Sequence, residues 1–312
     1  MRASRSLFLI ALFVMLTVLP SFANAEVEEV INEQYGLARD GEVHLKNISG
    51  NIKVSTWSKN EIRIKARKTA NTKEDLDKID VDIDSHERYI NIKTDYDRSF
   101  NINPFSFFSH HNRAVHYELT VPEMAEITLE SVSGSVEVNS VGGDTGISTV
   151  SGEIKVISAG DDVRSKSVSG SVYLEGVAGD TSVETVSGQI SVKEMLGQTY
   201  AKSVSGGIDI ESSSVIKSIE GNTVSGSIRA KGALSPEGVY DLKTVSGSIK
   251  LQLPPGSKFD LLAKTASGGI HSDFDLTISG RINSKNINGV VGKGGARLIL
   301  NSFSGSIRLV KE

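Results

Sequence analysis

The sequence predicts an all-β fold, a parallel β-solenoid, and three observations predict it. First, a Ser-Gly pair recurs at Ser133-Gly134, Ser151-Gly152, Ser169-Gly170, Ser187-Gly188 and Ser205-Gly206, in steps of 18 residues. It continues at Ser225-Gly226, Ser246-Gly247 and Ser267-Gly268, in steps of 20, 21 and 21. A fixed internal period marks stacked structural units. Second, apolar residues alternate with polar ones after each glycine: Val136 and Val138, Ile154 and Val156, Val172 and Leu174, Ile190 and Val192, Ile208 and Ile210. Such alternation puts the apolar set on one face of a strand. Third, each unit holds a second short strand, as in "TSVETVSG", and a turn such as "VGGD", "SAGDD" or "VAGD". Two strands and two turns leave no room for a helix.

One unit cannot bury its own apolar face, but stacked units can, each strand pairing in parallel with its equivalent in the next. Ten rungs at about 4.8 Å each would make a rod roughly 45–50 Å long. The left-handed hexapeptide helix also has 18 residues per coil. Stepping six residues from Val132 gives Val138, Asp144, Val150, Val156 and Asp162. Every third face is then polar, and later rungs lengthen to 21, so a right-handed or irregular solenoid is favoured.

The glycines from Gly134 to Gly268 are read as structural turn residues, placed where φ > 0 excludes a Cβ. The serine beside each can bond a backbone group at the corner or the serine above. The alternation slips at Val-Ser-Gly, which predicts a bend or bulge there. The series continues with Asn288-Gly289 and closes at Ser304-Gly305, read as the terminal rung.

Residues 26–125 lack the period but are similar in kind. "ISGNIKVSTW" holds an early copy at Ser49-Gly50. "NEIRIKARK", "KIDVDID", "RYINIKT" and "AVHYELTVP" alternate as strands, and "NTKEDLDK" predicts one short helix with Thr72 as N-cap. This region is read as wider, irregular rungs that cap the rod and protect its edge. Residues 126–312 form the regular repeat.

Residues 1–25 read as a signal peptide. Arg2 and Arg5 precede the apolar run "FLIALFVMLTVLP", and "ANA" supplies the exit at Ala25. A transmembrane anchor is the competing reading, but the run is short for a span. No further apolar run follows, so no transmembrane segment is expected after cleavage. The net charge is −4, and loss of Arg2 and Arg5 takes it to −6. Lys and Arg are dispersed, so no basic face points to nucleic acid. With no cysteine, an exported chain of this length must rely on burial and backbone pairing.

The Ser-Gly-x-Ile-x-Val rungs, "ISGNIKVSTW" and "VHYELTVPEMAEITLESVSGSVEV" resemble the bacterial putative-adhesin family. The resemblance covers nearly all of the mature chain. It implies an exported or envelope-associated β-repeat protein of unknown function and brings no catalytic residues with it. No wall, lipid or barrel anchor is visible in the chain.

Several residue groups could carry chemistry. Asp144, Asp162 and Asp180 share one rung position. Stacked about 5 Å apart, such carboxylates suit retaining glycoside hydrolysis or calcium; as turn residues they would cap the corner instead. Asp80, Asp82 and Asp84 make an acidic strand face, solvated or cation-binding. His110, His111 and His116 could offer imidazole to zinc, without cysteines to support them. No G-x-S-x-G elbow stands out. Phe100, Phe105, Phe107 and Phe108, four of the ten phenylalanines, fall in one stretch with Pro104. They either fold over the rod end or contact a partner.

The sequence therefore reads as an exported, non-enzymatic binding or scaffolding protein of the cell envelope, periplasmic or extracellular. Its partner would be an envelope protein or a glycan, and no cofactor or metal is expected. A polysaccharide-active enzyme and an envelope-stress component docking a membrane protein are the alternatives.

Overall fold

The computed structural model describes residues 26–96, 113–279 and 284–312. Among them two long sheets, of 13 and 14 strands, lie face to face over one continuous core. Each rung gives one strand to each sheet, so the coil has two faces rather than the three of a hexapeptide helix. A typical rung runs from Thr145–Ser151 through a Gly152 corner into Ile154–Ala159. The next is Val163–Ser169 followed by Val172–Val177. Both strands pair in parallel and in register with their equivalents, Ser151 opposite Ser169 and Ile154 opposite Val172.

Burial follows the alternation. Ile154, Val156, Val172, Leu174, Ile190 and Val192 are buried in the core. The longer rungs stay in register because their extra residues fall at the corner away from Ser-Gly. There Ile216 forms a bridge with Leu234, and Ser205, Ser225 and Ser246 remain aligned.

The Ser-Gly corner is held by three interactions. Glycine amides along the column, those of Gly134, Gly152, Gly188, Gly206, Gly226 and Gly247 among them, donate to a serine carbonyl of the neighbouring rung, as Gly134 N to Ser151 O (3.0 Å). A Thr or Ser hydroxyl from an adjacent rung donates to the glycine carbonyl, as Thr244 to Gly226 O (2.9 Å) and Thr223 to Gly206 O (3.0 Å). The glycines also stack. A Cβ built on Gly188 would lie far inside contact distance of Gly170 O, and the same relation repeats from Gly134 to Gly268. Lack of space, more than backbone conformation, therefore demands glycine. A positive φ occurs at Gly134 (127°), Gly152 (140°), Gly247 (157°) and Gly268 (157°) but not at Gly170, Gly188, Gly206 or Gly226.

The C-terminal rungs depart from sequence order. Ala296–Ser304 lies between Val239–Ser246 and Phe259–Ser267, parallel to both. Ile307–Lys311 lies likewise between Ile249–Leu253 and Ile270–Ser272. The end of the chain is thus an interior rung, which corrects the reading of Ser304-Gly305 as terminal. Gly247 N donates to Ser304 O and Gly305 N to Ser267 O. Asn288-Gly289 is not a rung corner either. It lies in Asn286–Val291, which runs antiparallel along Phe259–Ser267 and covers that edge with Leu276–Ile278 outside it.

At the other end, Glu42–Ser49 and Ile52–Trp57 form a true rung, with Ser49 opposite Ser133. The chain then leaves the stack. Glu61–Ala70 runs antiparallel to Ala114–Pro122, and Val27–Gly36 runs antiparallel along Glu61–Ala70. Ile79–Ser85 closes the second sheet antiparallel to Tyr89–Tyr96. The short helix Lys73–Asp77 starts at Thr72, whose hydroxyl accepts from Asp75 N (3.1 Å).

Gly188→Ala and Gly305→Ala should each destabilise by about 2–4 kcal/mol, because both glycines are packed between rungs. Gly256→Ala, with nothing within 4 Å of the new methyl, should stay within about 0.5 kcal/mol of the parent. Urea unfolding midpoints check this. A Gly305→Ala cost near that of Gly256→Ala would contradict the interior placement.

Candidate functional site: a groove along the solenoid axis

The slip in alternation at Val-Ser-Gly has a definite structural meaning. In "GISTVSG" Ile147 and Thr149 point inward, while Ser148, Val150 and Ser151 point outward. The residue before each valine is the small polar one that enters the core: Ser131, Thr149, Ser167, Thr185, Ser203, Thr223, Thr244 and Ser302 are all buried. The valine is left on the surface. Val132, Val150, Val168, Val186, Val204, Val224 and Val245 are 44–50 % exposed, and Phe303 continues their column at 66 %. In-register stacking turns these positions into a continuous apolar stripe. From Val132 to Phe303 it spans about 34 Å, at one residue per rung spacing.

A second row lies two residues earlier on the same outer face, including Lys46, Glu130, Lys166, Glu184, Lys202, Lys243 and Lys264. Between the rows the inward-facing Thr and Ser contribute mainly backbone. The result is a shallow trough, apolar on one wall and polar on the other. One stretch, of about 620 Å³, reaches from Lys46 and Lys93 to Val168. Another, of about 560 Å³, reaches from Lys202 to Phe303.

The two stretches differ in charge. In the first, lysines are neutralised: Lys46 by Glu130 (3.1 Å), Lys93 by Asp95 (2.7 Å) and Lys166 by Glu184 (3.3 Å). The second is lined by Lys202, Lys243 and Lys264 and by no carboxylate. Lys243 reaches Asp241 at 2.7 Å. Lys202 and Lys264 have no ion-pair partner among the described residues.

The groups singled out by the sequence do not meet in this groove. The aspartate column lies at the corner away from Ser-Gly, where two of its members accept backbone hydrogen bonds. Asp162 Oδ1 accepts from Asp180 N and Asp180 Oδ1 from Gln198 N, both at 2.8 Å. One oxygen of Asp162 and one of Asp180 thus fasten the next rung. Arg164 accompanies the column, at 3.3 Å from Asp162 and 3.9 Å from Asp144. Asp80, Asp82 and Asp84 are exposed on the edge strand, with His86 3.2 Å from Asp84. Among the described residues no three His, Asp or Glu side chains gather as a metal shell.

His116 lies half-buried in Ala114–Pro122, where its Nδ1 accepts from Asn51 N (3.2 Å). Burial, then the nearby Arg67 guanidinium, hold its pKa below the ordinary value. His110, His111 and the four phenylalanines Phe100, Phe105, Phe107 and Phe108 lie outside the described residues, as do residues 1–25. The valine stripe was missed in the sequence. Its signal was phase: Val150 falls in step with Ser148, not with Ile147.

The aspartate geometry gives a testable distinction. Asp162→Asn keeps the acceptor oxygen and should leave stability nearly unchanged. Asp162→Ala removes it and should cost about 1 kcal/mol. Thermal and urea melts of the two variants check this; equal losses would mean that charge, not the acceptor, matters.

No curated protein matches the chain. Among solved structures, a putative adhesin from Bacteroides fragilis is 13% identical, with 90% of this chain and 97% of that chain covered and a TM-score of 0.42. A putative adhesin from Parabacteroides distasonis is 10% identical, with 90% and 97% covered and a TM-score of 0.38. A putative lipid binding protein from the same species is 13% identical, with 90% and 96% covered and a TM-score of 0.32. These likenesses are too distant to carry a ligand across. Residues 42–310 match the Toastrack DUF4097 family, which takes in nearly every described rung, and the chain belongs to that family.

Proposed function

We propose that the protein is an exported, non-enzymatic binding or scaffolding element of the cell envelope, and that it binds through the axial groove. Residues 1–25 would be the export signal, 26–125 the N-terminal cap and 126–312 the repeat body. One observation carries the binding role: a column of valines kept at the surface, rung after rung, where the strand alternation elsewhere puts polar residues. Stability alone gives little reason for it, since a half-exposed valine gains only part of its burial energy. A long apolar stripe rimmed by polar residues is the usual signature of a contact surface. The adhesin designation of the solved relatives is compatible with this reading.

The polysaccharide-cleaving alternative is weakened by the aspartate column. Asp162 and Asp180 each use one carboxylate oxygen to accept from a backbone amide of the next rung, which is the work of a turn cap.

The test replaces Val150, Val186 and Val224 by Lys together. Alternate rungs are used so that the new charges do not stack directly. Mature parent and variant are sedimented with isolated envelope fractions, and their melting temperatures are compared. The expected result is at least a tenfold loss of co-sedimentation with the melting temperature within a few degrees. Undiminished co-sedimentation would overturn the groove as the binding surface.

A further inference from the structure

The chemistry of the second stretch of groove narrows what it can hold; this step rests on the binding role proposed above. Its strands are all interior to the sheet. Thr199–Ser205, Ile219–Ser225, Val239–Ser246, Ala296–Ser304 and Phe259–Ser267 each have a neighbour on both sides. Their backbone donors and acceptors are therefore consumed by the ladders, and the trough floor offers none to a ligand. An extended peptide that docks by hydrogen bonding to a sheet backbone would find no such bonds there. A ligand that asks for no such bonds would lose nothing. The apolar wall is continuous through Val204, Val224, Val245, Phe303 and Ala266, and covers about 19 Å at one rung spacing per step. That is comparable with the roughly 15 Å spanned by the acyl layer of one membrane leaflet, half of the hydrocarbon core. At the two ends of this wall stand Lys202 and Lys264, ammonium groups with no carboxylate partner among the described residues.

We propose that this half of the groove binds a single-chain anionic amphiphile of the long-chain fatty acid class. The acyl chain lies along Val204, Val224, Val245 and Phe303, and the carboxylate is met by Lys202 or Lys264 at an end of the wall. The first stretch, with its lysines neutralised by Glu130, Asp95 and Glu184, lacks the free cation and does not share the preference.

The test measures binding of monomeric palmitate, and of hexadecanol as its uncharged counterpart, to the full mature protein by calorimetry and by displacement of a fluorescent fatty acid. Saturable binding at one per protein is expected, at least tenfold tighter for palmitate than for hexadecanol. Val224→Asn with Phe303→Asn should weaken both ligands tenfold or more, while Val132→Asn with Val168→Asn should leave them unchanged. Lys202→Gln with Lys264→Gln should erase the preference for palmitate and spare hexadecanol, which a merely structural role would not do. The melting temperature of every variant identifies unfolding, and Val224→Thr with Phe303→Thr serves as the milder pair if the Asn pair unfolds. Absence of saturable binding, binding indifferent to Val224 and Phe303, or binding only to intact anionic vesicles would each overturn the proposal. If palmitate fails while co-sedimentation still depends on the valines, this inference falls and the binding role stands. If palmitate binds as described while co-sedimentation is indifferent, the reverse holds.

Discussion

The structure depends on one steric constraint, the contact of glycine on glycine at the Ser-Gly corner. Each glycine places its Cα against the carbonyl oxygen of the glycine in the adjacent rung, leaving no volume for a Cβ. This fixes which residue of one rung lies over which residue of the next. The amide-to-serine bonds and the Thr or Ser hydroxyl bonds to glycine carbonyls then lock that register. Because side chains in a strand alternate, a register slip of one residue would turn every apolar side chain out of the core. The corner therefore protects the whole hydrophobic interior, although it contains almost nothing hydrophobic itself.

The same constraint produces the candidate binding surface. Once the corner is in register, any position at a fixed distance from it becomes a straight column on the surface. Valine one residue before the serine becomes a stripe, and the polar residue two before the valine, lysine in some rungs but Glu130 or Glu184 in others, becomes a rail beside it. Between them short Thr and Ser side chains enter the core, and in the later rungs their hydroxyls serve the glycine carbonyls, as Thr265 serves Gly305 at 2.8 Å and Ser302 serves Gly247 at 3.0 Å, whereas the buried hydroxyls of Ser131, Thr149 and Ser167 have no partner among the described residues. The short polar side chain and the exposed valine are thus two sides of one arrangement. Function and register share the same few residues, and the groove can be no longer than the column of corners beneath it.

Much of this was legible in the sequence because the period is strict. The Ser-Gly spacing announced stacked rungs, and the alternation after each glycine named core residues such as Ile154 and Leu174. Thr72 was legible as a cap because a hydroxyl three residues before a backbone amide has a definite local use. The glycine was legible, but its reason was only partly so: chain direction at one corner can be guessed from sequence, whereas the approach of a second corner cannot. The valine stripe was encoded in the phase of the alternation and went unread because valine looks like core wherever it stands. The position of the last rung was the least legible. "INGVV" arrives 21 residues after Ser267 and imitates a corner, yet Ser304 follows Asn288 by only 16, too few for a full rung. That short step marks Asn286–Val291 as a cap strand. Which two rungs the chain end enters between is set by tertiary packing alone.

The insertion of the chain end also gives the account its sharpest physical consequence. Ala296–Ser304 and Ile307–Lys311 are bonded on both sides, and Leu298, Leu300, Ile307 and Leu309 are buried. Amides of interior rungs open only in large cooperative units, whereas end strands fray. Native-state hydrogen exchange of the protein, read at single-residue resolution, measures this directly. The account predicts that the amides of Leu300 and Leu309 exchange as slowly as those of Val183 and Val192 in the middle of the stack, and far more slowly than those of Leu276–Ile278 at the edge. Fast exchange at Leu300 and Leu309, with the residues around Ser267 protected in their place, would contradict it.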